Sequence, residues 1–231
     1  MVSLSKMIKN IYTKFNFSKK YKIQLTNFVK TLVNIEMGGD KVYDGLNTHY
    51  QQNPNEIVNL IFELKRLSKK RKLKKYLEIG YSSGINLNLL NKFFNFEKLV
   101  GVDILGSGIN TNTFFANLRF KNMILVCGDS TEKKTINNVQ NNGPYDIIFI
   151  DGDHKYNSVR QDYINYSKFL TKKGIIIFHD IKFCDTKGTE DKGVPFFWEN
   201  LKKKEKKNFI IKEFYDPKPF TKTGIGMLIK K

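Results

Sequence analysis

Tyr145-Asp146-Ile147-Ile148-Phe149-Ile150-Asp151-Gly152-Asp153-His154 is the stretch that decides the fold. The apolar run Ile147 to Ile150 is too short for a helix and too continuous for a half-exposed strand, so it predicts a parallel strand covered on both faces. Acids follow at once. In an open α/β sheet the ligand crevice lies beyond the carboxyl ends of the strands, which directs Asp151, Asp153 and His154 into it. A second strand, Gly174 to Phe178, ends the same way in His179-Asp180. Two covered strands that each deliver a carboxylate and an imidazole to one edge suit a divalent-cation or acid/base site. Helix capping explains either pair alone, and explains both together less well.

Outward from that stretch, the bulk composition fits one globular domain with a buried core: 231 residues, 40% hydrophobic and 13% aromatic. The two cysteines, Cys127 and Cys184, allow neither a disulfide framework nor a zinc-ligand spacing, and a reducing, cytoplasmic setting is the expectation. No apolar run reaches the roughly 18 residues that span a bilayer. The net charge of +18 invites a nucleic-acid reading. Its densest runs, Lys69 to Lys75 and Lys202 to Lys207, each precede a predicted strand. That puts them at the amino-terminal edge of the sheet, away from the acidic crevice, so nucleic-acid binding is left open and not favoured.

Leu4, Met7, Ile8, Ile11, Tyr12 and Phe15 recur at helical spacing with Lys6, Lys9 and Lys14 between them, an amphipathic basic helix without the core or cleavage site of a signal peptide. Residues 1–49 are read as a helical extension and loop. Packing on the chain's own domain or on a partner subunit, including a homo-oligomer, is favoured over contact of residues 1–20 with an anionic membrane surface. After a polar loop from Gly38 to Gln52, Asn53-Pro54-Asn55-Glu56 supplies an N-cap, a proline at the first helical position and a glutamate three residues past the cap. Ile57, Leu60, Ile61, Leu64 and Leu67 continue as one helical stripe.

The next strand, Tyr76 to Ile79, opens into Gly80-Tyr81-Ser82-Ser83-Gly84 and a helix with Ile85, Leu87, Leu89 and Leu90. Strand, glycine turn and helix describe a nucleotide-type cradle in which glycine lets the backbone approach a ligand. Glu78 sharpens this reading, because its carboxylate would repel a pyrophosphate and attract an ammonium, favouring S-adenosylmethionine over NAD. A strand from Leu99 to Val102 ends in Asp103, placed to accept from ribose hydroxyls. A third, Met123 to Cys127, ends in Gly128-Asp129-Ser130, where Asp129 suits either an adenine amino group or a helix cap. A helix with Val159, Tyr163, Tyr166 and Leu170 on one face follows His154. The long polar segment Ile181 to Gly193 is a candidate acceptor-binding lid. Pro195 begins a helix, and Phe209 to Phe214 with Gly224 to Ile229 form a closing hairpin.

Strands alternating with helices, Glu-x-Gly at the first, Asp at the second, Gly-Asp at the third and a closing hairpin resemble the class I S-adenosylmethionine-dependent methyltransferases over residues 50–231. Ile150-Asp-Gly-Asp-His-x-Tyr156, Phe178-His-Asp180, Gly193-Val-Pro-Phe-Phe-Trp198 and Tyr50-Gln-Gln-Asn-Pro54 are similar to the branch of cephalosporin-hydroxylase-like proteins and macrocin-type sugar O-methyltransferases. The resemblance implies an α/β fold: a single Rossmann-like domain, a seven-stranded mostly parallel sheet with its last strand antiparallel, and helices on both faces. It further implies that Glu78, Gly80, Ser82 and Gly84 hold the methionyl part, Asp103 the ribose, and Gly128, Asp129 and Ser130 the adenine side, with Asp151 nearby. In metal-dependent relatives the acids ending the fourth and fifth strands bind Mg²⁺, which map to Asp151 and to His179-Asp180. His179 departs from that pattern as a softer ligand, which leaves Mg²⁺, Mn²⁺ or no metal open. The implied reaction is O-methylation of a sugar or other small polyhydroxylated acceptor. His154 is the expected general base, Asp151 binds a metal, and His179 is a ligand or second base. The rival readings are a nucleic-acid methyltransferase and a catalytically inactive S-adenosylmethionine-binding partner subunit.

Overall fold

The strand from Tyr145 to Ile150 runs through the middle of a seven-stranded sheet. The structure, a computed structural model, describes residues 10–32, 52–82, 84–104, 121–182, 193–216 and 223–231. The early helical positions Leu4, Lys6, Met7, Ile8 and Lys9, the loop 38–51, Ser83, the lid segment 183–192 and Pro217 lie outside these residues.

In chain order the elements are α1 (Lys19–Leu32), α2 (Pro54–Ser68), β1 (Lys75–Ile79), α3 (Ile85–Phe94), β2 (Lys98–Asp103), β3 (Met123–Cys127) and α4 (Lys133–Gln140). They continue with β4 (Tyr145–Ile150), α5 (Tyr156–Tyr166), β5 (Leu170–Phe178), α6 (Gly193–Glu205), β6 (Phe209–Phe214) and β7 (Ile225–Lys230). The sheet order is β3-β2-β1-β4-β5-β7-β6. β1 to β5 pair in parallel, whereas β7 is antiparallel to both β5 and β6. The mostly parallel sheet with an antiparallel last strand is therefore present. β1 and β4 are neighbours, so the chain winds outward from β1 in one direction and from β4 in the other. This is the switch point at which an open sheet parts into a crevice.

The two-residue period of each strand feeds two cores. Ile147 and Phe149 of β4, with Tyr76, Leu99, Ile175 and Met227, pack under α1, α2 and α3. Ile148 and Ile150, with Leu77, Val100, Ile176 and Leu228, pack under α5 and α6. Helices thus cover both faces, as the unbroken apolar runs require. The stripe Ile57, Leu60, Ile61, Leu64 and Leu67 is buried throughout. Tyr21, Leu25, Phe28 and Val29 of α1 join the same core, so this part of the amino-terminal region packs on the sheet's helical layer. Leu170, expected on the helix after His154, is instead the first residue of β5, where it pairs with Tyr145. A short 3₁₀ turn, Ser167–Phe169, ends the helix before it.

At the far end of the sheet Trp198 is fully buried, and its indole donates to Glu213 Oε1 at 2.6 Å. Gly226 of β7 lies flat against this ring: a Cβ there would come within 2.7 Å of it. Gly226→Ala is accordingly expected to lower the unfolding free energy by about 1–3 kcal/mol, the usual cost of overpacking a filled core, read from the urea midpoint.

Candidate active site

The ladder hydrogen bonds of the parallel strands continue past their carboxyl ends and set the site's backbone. Gly80 N–H donates to Val102 O at 2.8 Å, Asp151 N–H to Ile79 O at 2.9 Å, and His179 N–H to Ile150 O at 3.1 Å. The glycine turn after β1, the Asp-Gly-Asp-His turn after β4 and the His-Asp pair after β5 are thereby locked side by side. Gly80 has φ +80°, and a Cβ on it would lie 2.0 Å from the Asp151 carbonyl oxygen. Ser82 at φ 44° and Gly84 at φ 75° complete a left-handed turn into α3. Asp103 supports that turn by accepting from Ser82 N–H at 2.8 Å.

The crevice has a volume of about 720 Å³. Gly80, Ser82, Asp103, Gly128, Asp129, Ser130, Asp151 and His154 line it, so most of the residues singled out in the sequence meet in one place. Glu78 does not line it. The pleat turns Glu78 to the α3 face, where Tyr76 Oη donates to its carboxylate at 2.7 Å and Asn86 Nδ2 at 3.2 Å. Only 2% exposed, it is pushed up to about 8, first by burial and then, against those donors, by the charges of Asp151 and Asp103. Asp129 is exposed and accepts from both Thr131 Oγ1 and Thr131 N–H. Those two bonds hold its carboxyl below the ordinary value. Asp129 thus closes a local turn on Thr131 and does not cap α4, whose N-cap position is Glu132.

Beyond β4 and β5 the four acid/base residues form one connected group. His179 is buried, with Nδ1 3.2 Å from Asp151 Oδ1 and 3.1 Å from Asp180 Oδ2. His154 Nε2 lies 3.1 Å from the same Asp180 oxygen. Burial works against a charged His179, but Asp151 and Asp180 outweigh it and hold the imidazole well above its ordinary value. Burial also opposes ionisation of Asp180, and the His179 and His154 imidazoles overcome it, keeping the carboxyl below its usual range. Ligand atoms of Asp151, His154 and Asp180 lie within 4.8 Å of one another, a spacing that a metal ion can bridge. His179 sits behind that set, between the two carboxylates.

Two contributors come from the turn that starts α2. Gln52 Nε2 donates to Asp151 Oδ2 at 3.0 Å. Glu56, three residues past the Asn53 cap, does not close a capping box. Its buried carboxylate accepts instead from Thr223 Oγ1 at 2.7 Å, Gly224 N–H at 2.9 Å and Asp216 N–H at 3.1 Å. Asn53 alone caps α2, accepting from Asn55 N–H at 2.8 Å. A third buried acid, Asp162 of α5, also reaches the crevice. No local sequence signal marks these partnerships, which join residues 32 to 168 positions apart.

Glu78 yields a pH test. Its folded value lies above the ordinary carboxyl value, so the stability it contributes is complete below about pH 4.5 and is lost as pH rises through about 8. Glu78→Gln is expected to flatten that fall. The drop in urea midpoint between about pH 6 and about pH 9 should be smaller in the variant than in the native chain.

Residues 77–181 match the family model described as a methyltransferase domain. Protein R132 of Acanthamoeba polyphaga mimivirus is 33% identical over 112 residues, which is 46% of this chain and 50% of that protein. Two solved structures share the fold. The O-methyltransferase TomG of Streptomyces achromogenes, solved with S-adenosylmethionine, superposes at TM-score 0.59 with 13% identity over 98% of this chain and 96% of its own. MycE of the mycinamycin pathway, solved with Mg, S-adenosylhomocysteine and mycinamycin VI, gives 0.53 with 15% identity over 73% and 48%. The chain spans about half the length of both R132 and MycE. The matched segment runs from β1 through the end of β5, so the likeness to a methyltransferase domain covers the strands whose ends carry the site, and the seven-stranded sheet shares the fold of those methyltransferases.

Proposed function

We propose that this chain transfers a methyl group from S-adenosylmethionine to a hydroxyl oxygen of a small, polyhydroxylated, sugar-like acceptor. The observation that carries the cofactor is the charge of the crevice. Asp103, Asp129, Asp151, Asp153 and Asp162 line it, and no lysine or arginine is among its described lining residues, in a chain of net charge +18. Such a lining favours a ligand bearing a sulfonium and an ammonium and disfavours the pyrophosphate of NAD. The same lining works against a polyphosphate strand entering here, which weighs against the nucleic-acid reading. The sugar-like acceptor is supported by the sequence resemblance and by MycE, which was solved with mycinamycin VI.

The residues at hand fit the reaction. Bound in the cradle, S-adenosylmethionine supplies an activated methyl group whose carbon–sulfur bonding pair leaves with sulfur as a neutral thioether. The acceptor oxygen attacks that carbon in line, which demands positioning more than chemistry. His154, at the mouth of the crevice, takes the acceptor's proton, and Asp180 at 3.1 Å orients its imidazole and stabilises the imidazolium that results. His179 and Gln52 keep Asp151 in place from either side. Asp151 and Asp180, with His154 in reach, make a donor set that suits Mg²⁺ or Mn²⁺, which would supply Lewis acidity at the acceptor hydroxyl.

S-adenosylhomocysteine is therefore expected to raise the thermal midpoint of the purified protein, and NAD to leave it unchanged, because only a ligand of the folded state stabilises by mass action. With a methylated acceptor in hand, His154→Ala should lower kcat by about 10²–10⁴-fold while leaving S-adenosylhomocysteine affinity intact. A further rise in midpoint on adding Mg²⁺ or Mn²⁺, abolished in Asp180→Asn, would establish the metal. An absent response to saturating S-adenosylhomocysteine overturns the cofactor assignment.

A further inference from the structure

The crevice wall contains a buried carboxylate that the methyl-transfer chemistry does not use. Asp162 on α5 is 2% exposed yet belongs to the crevice wall. Its Oδ1 accepts from Ser130 Oγ at 2.6 Å. One turn further along α5, Tyr166 Oη donates to the Ser130 carbonyl at 2.6 Å. Ser130 is thus held by backbone and side chain together. Asp162 Oδ2 has no hydrogen-bond donor among the described residues, and it is not sealed in. It faces Gly152, where a Cβ would come within 3.3 Å of it.

Among the described residues, the two other acids that act on Asp162 are each engaged by a hydroxyl. Asp129 takes the Thr131 hydroxyl at 2.6 Å, and Asp153 takes the Ser158 hydroxyl at 2.7 Å. Burial, and then the charges of Asp129 and Asp153, push the Asp162 carboxyl up to about 6 despite the Ser130 donor. A buried acceptor without a donor is destabilising, and a donor arriving through the crevice removes that cost. The requirement at this position is for a ligand group that carries N–H and no competing lone pair.

We infer that Asp162, with Ser130, is the specificity-determining seat for the base of the bound nucleoside, accepting from an exocyclic amino group and rejecting a carbonyl in its place. This rests on the S-adenosylmethionine reading. A carbonyl oxygen set against the unpaired Asp162 oxygen leaves two acceptors facing each other, the arrangement that separates close analogues most strongly.

The test compares S-adenosylhomocysteine with S-inosylhomocysteine, in which a carbonyl replaces the 6-amino group and N1 carries a hydrogen in place of a lone pair, by isothermal titration at about pH 8, where the Asp162 carboxyl is ionised. The native protein should prefer the amino form by about tenfold or more, which corresponds to one hydrogen bond gained against one lost. In Asp162→Asn the preference should collapse to within about threefold, because a carboxamide can turn its NH₂ to the carbonyl. An unchanged ratio in Asp162→Asn, or equal binding of both ligands by the native protein, overturns the inference. Should Asp162→Asn fail to fold, Ser130→Ala decides: it keeps the acid and frees its orientation, so a ratio that stays within about twofold of the native one overturns the inference equally. Failure of the native protein to bind either ligand refutes the cofactor reading instead, and is thereby told apart.

Discussion

Gly80 meets the backbone of Asp151 so closely that no side chain fits between them, and the rest of the site follows from that contact. The two residues end neighbouring strands at the point where the sheet's winding reverses. A side chain at Gly80 would wedge β1 from β4, and the turn after β1 would no longer stand beside the turn after β4. The cradle and the acid/base group belong to different turns, each formed by local chain. What makes them one site is the ladder bond from Asp151 N–H to Ile79 O and the absence of a Cβ opposite it. The glycine here is a packing requirement of the fold before it is a concession to any ligand.

Carboxylates gathered in this way repel one another, and the structure shows how the repulsion is contained. Glu78 is held near neutrality by burial. Asp129, Asp153 and Asp162 each accept from a hydroxyl of a nearby Thr or Ser. Asp151 and Asp180 share the buried imidazole of His179, which is favoured in its charged form. Among the described residues no lysine lines the crevice, although the chain has an excess of them. The lysine-rich segments stay at the amino ends of the strands, where some are paired: Lys202 with Glu199 and Glu213, Lys74 with Glu97. Hydroxyls and histidine satisfy carboxylates without blocking a cationic ligand, which a lysine would do.

Much of this was legible in the sequence because it depends on short periods. The run Ile147 to Ile150 reads as a covered strand, the spacing from Ile57 to Leu67 reads as a helix stripe, and the strand-ending acids read as a crevice edge. All three need only a local window. The pleat was also legible in principle, and it explains Glu78: a residue two positions from Tyr76 shares Tyr76's face, so its carboxylate turns to α3 and away from the ligand side. The resemblance to methyltransferases drew attention to its charge and not to its parity. Asp162 carried no signal, since an acid on a helix is ordinarily solvated and only the packing of α5 on the β3 and β4 turns buries it. Glu56 read as half of a capping box, but the β6–β7 connection, some 160 residues away, offers its carboxylate three donors where a capping box offers one.

Glu56 and Gln52 lie outside the segment that the family model matches. Both lie before residue 77, where the family match begins, and Glu56's partners Asp216, Thr223 and Gly224 lie after residue 181, where it ends. The cofactor cradle is therefore built wholly within the matched segment, whereas the frame around Asp151 and Asp180 is built partly from chain on either side of it. Ile181 and Lys182 N–H groups donate to Gly224 and Thr223, which extends that frame to the residues following Asp180. One buried glutamate joins the α2 start to the β6–β7 connection, and the backbone bonds of Ile181 and Lys182 join that connection to the β5 end.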